Sequence, residues 1–209
     1  GSTRSYFGPF DDTSTLFLFN PTNNTATATV DFFNNDGALM RTYSTAIASN
    51  VTVALSNETI TPVLPSGIFR VVVSSDVSLI GVLKNKISGQ TDYDLLPGLS
   101  VGSTLATFPR ALKHYDNDGD TRSSQLFIAN LSTATAMVQV IYTNGGQSFF
   151  HDGITLPPAG FTLIDMASEA ILPSGSIWAV LVESDQPIGL TEVSASDLPD
   201  SLVSIGSYS

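Results

Sequence analysis

The tetrapeptide Leu-Pro-Ser-Gly occurs twice, at 64–67 and again at 172–175, 108 residues apart. The match extends in both directions. TATATVDFFNNDG (25–37) faces TATAMVQVIYTNG (133–145) at the same separation. Earlier, STLFLFNPT (14–22) faces SQLFIANLS (124–132), with a two-residue length difference in between. Later, SSDVSLIG (74–81) faces ESDQPIG (183–189). Four matches in one order at nearly constant spacing mark one unit written twice. The 209 residues therefore divide near 101–105 into residues 1–103 and 104–209, each long enough to bury a core of its own.

The period within each unit is that of a strand. Ala26, Ala28, Val30 and Phe32 fall on one face, with Thr27, Thr29 and Asp31 on the other. Ala134, Ala136, Val138 and Val140 repeat the pattern. Strict alternation of this length predicts a half-buried strand. STLFLF and FRVVV are denser apolar runs, as central strands are. NNDG (34–37) and TNGG (143–146) carry residues suited to positive φ and predict hairpin turns. LPSG and LPPAG (156–160) punctuate later strands. The one helix-like stretch, DMASEAIL (165–172), is two turns long. The expected fold is all-β: two tandem immunoglobulin-like β-sandwich domains related by an internal repeat. No long linker separates them, so a fixed relative angle is expected.

Charge narrows the partners. The net charge is −11, distributed as −3 over residues 1–103 and −8 over residues 104–209. There is no basic patch to displace phosphate counterions, so nucleic acid is not an expected partner, nor is an anionic membrane surface. Charged residues are only 13% of the chain, against about 25% in an average soluble protein. Ser, Thr, Asn and Gly carry the polarity instead, a balance common outside the cell. There are no cysteines, which rules out disulfides and thiolate chemistry and leans toward a bacterial or archaeal source. The longest apolar runs are strand-sized, so no helical membrane span is expected. The chain begins with Gly1 and shows no signal peptide, as a mature or excised segment would.

The order S-S-x-L-F-I-x-N (123–130), A-T-A-x-V-x-V (134–140), an Asn-Gly turn, L-P-P-x-G (156–160), L-P-S-G (172–175) and E-S-D-Q-P-I-G (183–189) resembles repeats in large secreted bacterial proteins of the Chloroflexi and Acidobacteria type. The likeness covers almost the whole chain in both copies. It implies extracellular structural or adhesive modules, arrayed on the cell surface. The first copy departs from the pattern where Val77-Ser78 stands in place of Gln186-Pro187, and its leading segment is shorter.

Candidate sites are few. In YDNDGDT (115–121), Asp116, Asn117, Asp118 and Asp120 offer oxygens around a glycine turn, the donor type that calcium takes. The distant bidentate Glu of an EF-hand is missing. A solvated turn is the competing reading. GLSVG (98–102) places Ser100 in a G-x-S-x-G pattern, but that motif needs a strand-to-helix elbow and no helix is predicted there. His114 and His151, the only histidines, have no evident orienting partner. The pairs Asp92/Asp94 and Asp197/Asp200 read as solvated loop residues. Trp178, opposite Arg70 in the repeat, is a sugar-stacking face or, more simply, core. Asn23, Asn50, Asn57 and Asn130 stand in N-x-S/T sequons and are candidate glycosylation sites.

The expected function is a non-enzymatic extracellular structural protein: a stalk, sheath or filament subunit assembling through β-strand contacts. Its partners would be copies of itself or neighbouring surface repeats. Residues 1–10 or 201–209 are candidates for strand addition to a neighbour. The competing class is an adhesin or carbohydrate-binding module taking glycans, stabilised by calcium; no other cofactor is expected.

Overall fold

The computed structural model describes residues 3–60, 62–85, 94–117, 119–196 and 207–208. They form three antiparallel sheets and one short 3-10 turn, Met166–Ser168, with no α-helix among the described residues. None of the described helices is long and apolar enough to cross a membrane.

The first half holds eight strands: β1 (Thr3–Phe10), β2 (Thr15–Phe19), β3 (Ala26–Phe33), β4 (Leu39–Ile47), β5 (Thr52–Ser56), β6 (Phe69–Ser75), β7 (Ile80–Asn85) and β8 (Asp94–Pro97). They make two four-stranded sheets, β1-β6-β3-β4 and β5-β2-β7-β8. The alternation read from the sequence decides what each sheet buries. Ala26, Ala28, Val30 and Phe32 point inward from β3, and Leu16 and Leu18 point inward from β2. The two faces meet in one core, where Phe10 sits edge-on to Phe32 at 5.2 Å. Of the two candidate donor segments, 1–10 and 201–209, residues 3–10 pair with β6 of their own sheet and bury Phe7 and Phe10, and most of 201–209 lies outside the described residues.

The second half holds β9 (Ser103–Lys113), β10 (Tyr115–Asn117), β11 (Asp120–Asn130), β12 (Ala136–Asn144), β13 (Gln147–Phe150), β14 (Ile154–Leu156), β15 (Phe161–Asp165), β16 (Ser176–Ser196) and β17 (Ser207–Tyr208). These share one nine-stranded sheet because β16 runs unbroken for 21 residues. Its first stretch pairs with β9 and β12, and its last stretch with β11. The register shift between Glu183 and Ile188 marks where it passes from one group of strands to the other. In the first half the corresponding run is broken into β6 and β7. The second core gathers Leu126, Val140, Tyr142, Trp178 and Leu190 from both groups.

The pairing corrects the sequence match in one place. Ser75 lies opposite Ala28, and Ser184 lies opposite Val138. Ala28 therefore corresponds to Val138, 110 residues on, not to Ala136. The two-residue difference falls in the hairpin turn, where the loop between Phe33 and Leu39 is longer than that between Asn144 and Gln147. A slip of two residues keeps every side chain on its own face, so the hydrophobic pattern was blind to it.

The halves pack face to face. Residues 69–73 of β6 and 126–130 of β11 are buried on both sides of their sheets. Phe127, Ala129 and Phe161 form a separate apolar cluster on the outer face of β11 and β15. Val193 of β16 reaches the first core. Gly8 leaves room for this approach, since a Cβ there would lie 2.5 Å from the Phe127 ring. Gly37, at φ +77, brings its backbone against Pro158, where a Cβ would lie 2.0 Å from the carbonyl oxygen. The Phe161 amide donates to the Asn35 carbonyl at 3.1 Å. The gap left among Tyr6, Arg70, Leu99 and Phe127 is about 10 Å³, no more than one water needs.

Candidate functional site

Local chemistry accounts for several of the residues singled out in the sequence. The YDNDGDT stretch is a tight hairpin: Asp116 lies opposite Thr121 and Asn117 opposite Asp120. Gly119 takes φ +87, and its amide donates to Asp116 Oδ1 at 2.7 Å. One of the candidate calcium oxygens therefore closes the turn. Asp118 lies outside the described residues, as do the side chains of Asn117 and Asp120. Among the described residues no three His, Cys, Asp or Glu side chains come together as a metal site would require. Ser100 sits in an exposed bend that leads into β9, not into a helix. Asp92, Asp197 and Asp200 lie outside the described residues.

The sequons divide. Asn23 and Asn50 are exposed, and Asn57 is half-buried with its Oδ1 accepting from the Leu64 amide at 2.9 Å. Asn130 is the correction. It is fully buried, and its Nδ2, the atom a glycan would occupy, donates to the carbonyls of Ala134, Leu156 and Pro157 at 2.7, 3.1 and 3.0 Å. Asn20 does the same in the first half, donating to Asn24, Ile47 and Ala48. Each Asn ties a strand end to two loops.

Trp178 is core, 1% exposed, edge-on to Phe149 at 5.3 Å, with its Nε1 donating to Ser176 Oγ at 2.6 Å. Val71 lies opposite Phe32 and Val180 opposite Tyr142, so the counterpart of Trp178 is the buried Phe69, not Arg70. A one-residue insertion after the second LPSG displaced the match. Arg70 corresponds to Ala179 and belongs to the joint. Its guanidinium donates to the Asn130 carbonyl and lies 5.2 Å from the Tyr6 ring and 5.6 Å from the Phe33 ring. Burial pushes its pKa down to about 10.

One polar cluster escaped the sequence. His151 Nδ1 lies 3.0 Å from Glu169 Oε2, and Lys113 Nζ donates to the Glu169 carbonyl. Beside them the Tyr142 hydroxyl is buried next to the Glu169 carboxylate. Burial, and after it the Glu169 carboxylate, raises the phenol above its ordinary value. These residues lie at 113, 142, 151 and 169, with no spacing signal. Asp76 and Asp185 also act alike: each accepts a backbone N–H of the adjacent strand, from Thr27 and Met137, at 2.8 Å. The Thr27 amide holds the Asp76 carboxyl below its usual range.

What remains at the surface is two apolar sheet faces, one at each end of the molecule. On the first, Ala54, Phe17, Val82 and Pro97 lie side by side across β5, β2, β7 and β8, with Ile80 56% exposed beside them. On the second, Thr107, Leu181, Ile141 and Phe150 form a row across β9, β16, β12 and β13, and Phe150 is 60% exposed. A depression of about 330 Å³ borders that row over Met137, Gln139, Gly153, Glu183 and Asp185. The signal was present in STLFLF, whose outward Phe17 stands where Phe127 stands in the buried joint. Comparison with protein-family models, with curated proteins and with solved structures found no match.

Proposed function

We propose that the chain consists of two tandem immunoglobulin-like β-sandwich units, residues 1–103 and 104–209, of an extracellular structural protein without catalytic activity. It serves as a stalk, sheath or filament subunit whose partners are copies of itself or neighbouring surface repeats. The order β1-β6-β3-β4 recurs as β9-β16-β12-β13, and β5-β2-β7 recurs as β15-β11-β16, which supports the duplicated unit. The low charged fraction and the likeness to secreted bacterial repeats support the extracellular setting.

The observation that carries the structural reading is the joint. Two units that meet through Phe127, Phe161, Arg70 and Gly8, closely packed around Arg70 and with an open depression of about 320 Å³ at the edge between Asn35, Ile68 and Phe161–Leu163, form a stiff rod rather than beads on a string. Burial of Trp178 removes the aromatic platform on which the glycan-binding alternative leaned. The test is sedimentation velocity over a range of concentrations at about 0.15 M salt, where the Debye length is about 8 Å and the repulsion of −11 charges is screened. A mass rising above 22.0 kDa with concentration is expected. A single species of that mass throughout would overturn the self-assembling reading.

A further inference from the structure

We propose that this chain stacks on copies of itself head to tail. The outer face of β5-β2-β7-β8 in one copy seats on the outer face of β9-β16-β12-β13 in the next. The inference rests on the structural reading above and assigns its contact surface.

The chain makes such a joint once within itself. There the outer face of β15, β11 and the end of β16 lies on the outer face of β1 and β6. The pairing locates the same positions in the other half. Phe127 lies between Leu163 and Thr191, as Phe17 lies between Ala54 and Val82. Ala129 lies opposite Gly189, as Phe19 lies opposite Ile80. The free face of the first half is thus the counterpart of the covered face of the second. Likewise Tyr6 lies opposite Val72, and Thr107 lies opposite Leu181. The free face of the second half is the counterpart of the face that does the covering.

Composition agrees. The free row Phe17–Val82–Pro97 is at least as apolar as its covered counterpart. On the other face, Ile141 and Phe150 stand where the first half carries Asp31 and Thr42, which lie outside the joint and hydrogen-bond each other at 2.6 Å. The second half has thus replaced a hydrated pair with apolar surface where nothing in its own chain covers it among the described residues. A second copy is the partner in which both faces recur together. Because the two faces differ, the contact is heterologous and leaves one of each free at the ends, so it propagates in a line. The joint between copies lacks three parts of the internal one. Pro109 replaces Gly8, Ala179 replaces Arg70 and Lys84 replaces Val193, so the approach is less close and no guanidinium is buried. Association is therefore reversible and concentration-dependent.

The experiment uses Ile80→Lys and Thr107→Lys, the second at the counterpart of Tyr6, each at an exposed position where folding is preserved; equal thermal midpoints to the parent check this. Each variant disables one face and keeps the other. Each alone should sediment at the monomer mass under conditions where the parent associates. Mixed in equal amounts they should form a dimer that grows no further. If the parent associates and both variants do so equally, these faces are not the contact, although a structural subunit remains. A mixture that stays monomeric overturns the pairing of the two faces as well. If the parent itself stays monomeric, both this contact and the self-assembling reading fail.

Discussion

Asn20 and Asn130 end β2 and β11 with the same set of bonds, and the cost of losing either follows from that. An alanine would strand several buried carbonyls that the amide now satisfies, each worth about 1–3 kcal/mol if left unpaired. Asn20→Ala and Asn130→Ala should each lower stability by about 2–3 kcal/mol in urea unfolding, with Asn23→Ala as a neutral control at an exposed sequon. Arg70 separates two kinds of loss. Arg70→Ala opens a cavity at the joint and orphans the Asn130 carbonyl, so a loss of about 2–4 kcal/mol is expected. Arg70→Met fills the space without burying a charge but leaves the same carbonyl unpaired, so it should lose about 1–3 kcal/mol, less than Arg70→Ala. Asp76 gives a pH dependence of known sign. Its carboxyl is depressed by the Thr27 amide, so the stabilisation is present above the unfolded value near 3.8 and is lost as pH falls through the lower folded value. Asp76→Asn should flatten that acid limb of the stability profile.

At the scale of elements, the inward faces were legible because alternation is a direct record of one-sided burial. Ala26 to Phe32 on β3, and the hairpin turns after β3 and β12, came out as read. What was not legible was anything a two-residue slip leaves unchanged. The sequence match placed Ala28 against Ala136, and only the ladder partners Ser75 and Ser184 separate that pairing from the observed one. A single inserted residue behaved differently. It set Trp178 against Arg70 and so confused a core position with a joint position. The runs LFIAN and FRVVV recorded two-sided burial, but a dense run does not say what covers its second face. That answer lies in Gly8, whose missing Cβ admits the Phe127 ring. Gly8→Ala should destabilise the joint by about 1–3 kcal/mol. Because the two cores are separate, the variant should unfold in two resolved thermal transitions where the parent shows one. The His151–Glu169 contact was invisible for a different reason: it is made by loops whose approach depends on the whole second half being folded.

For the whole molecule, the distribution of apolar surface matters more than any single site. The joint stabilises one relative orientation of the halves, and the faces it leaves uncovered are the counterparts of those it covers. The net charge of −11 opposes close approach of copies at low salt, so association should strengthen between about 0.01 M and 0.15 M salt as the Debye length falls from about 30 Å to 8 Å. Light scattering across that range checks the direction. The most direct measurement is negative-stain imaging of the parent chain at the highest soluble concentration in 0.15 M salt, a condition chosen for its Debye length of about 8 Å. The account predicts unbranched threads one molecule wide, built from units in a single repeating orientation. A field of separate particles the size of one chain would contradict it.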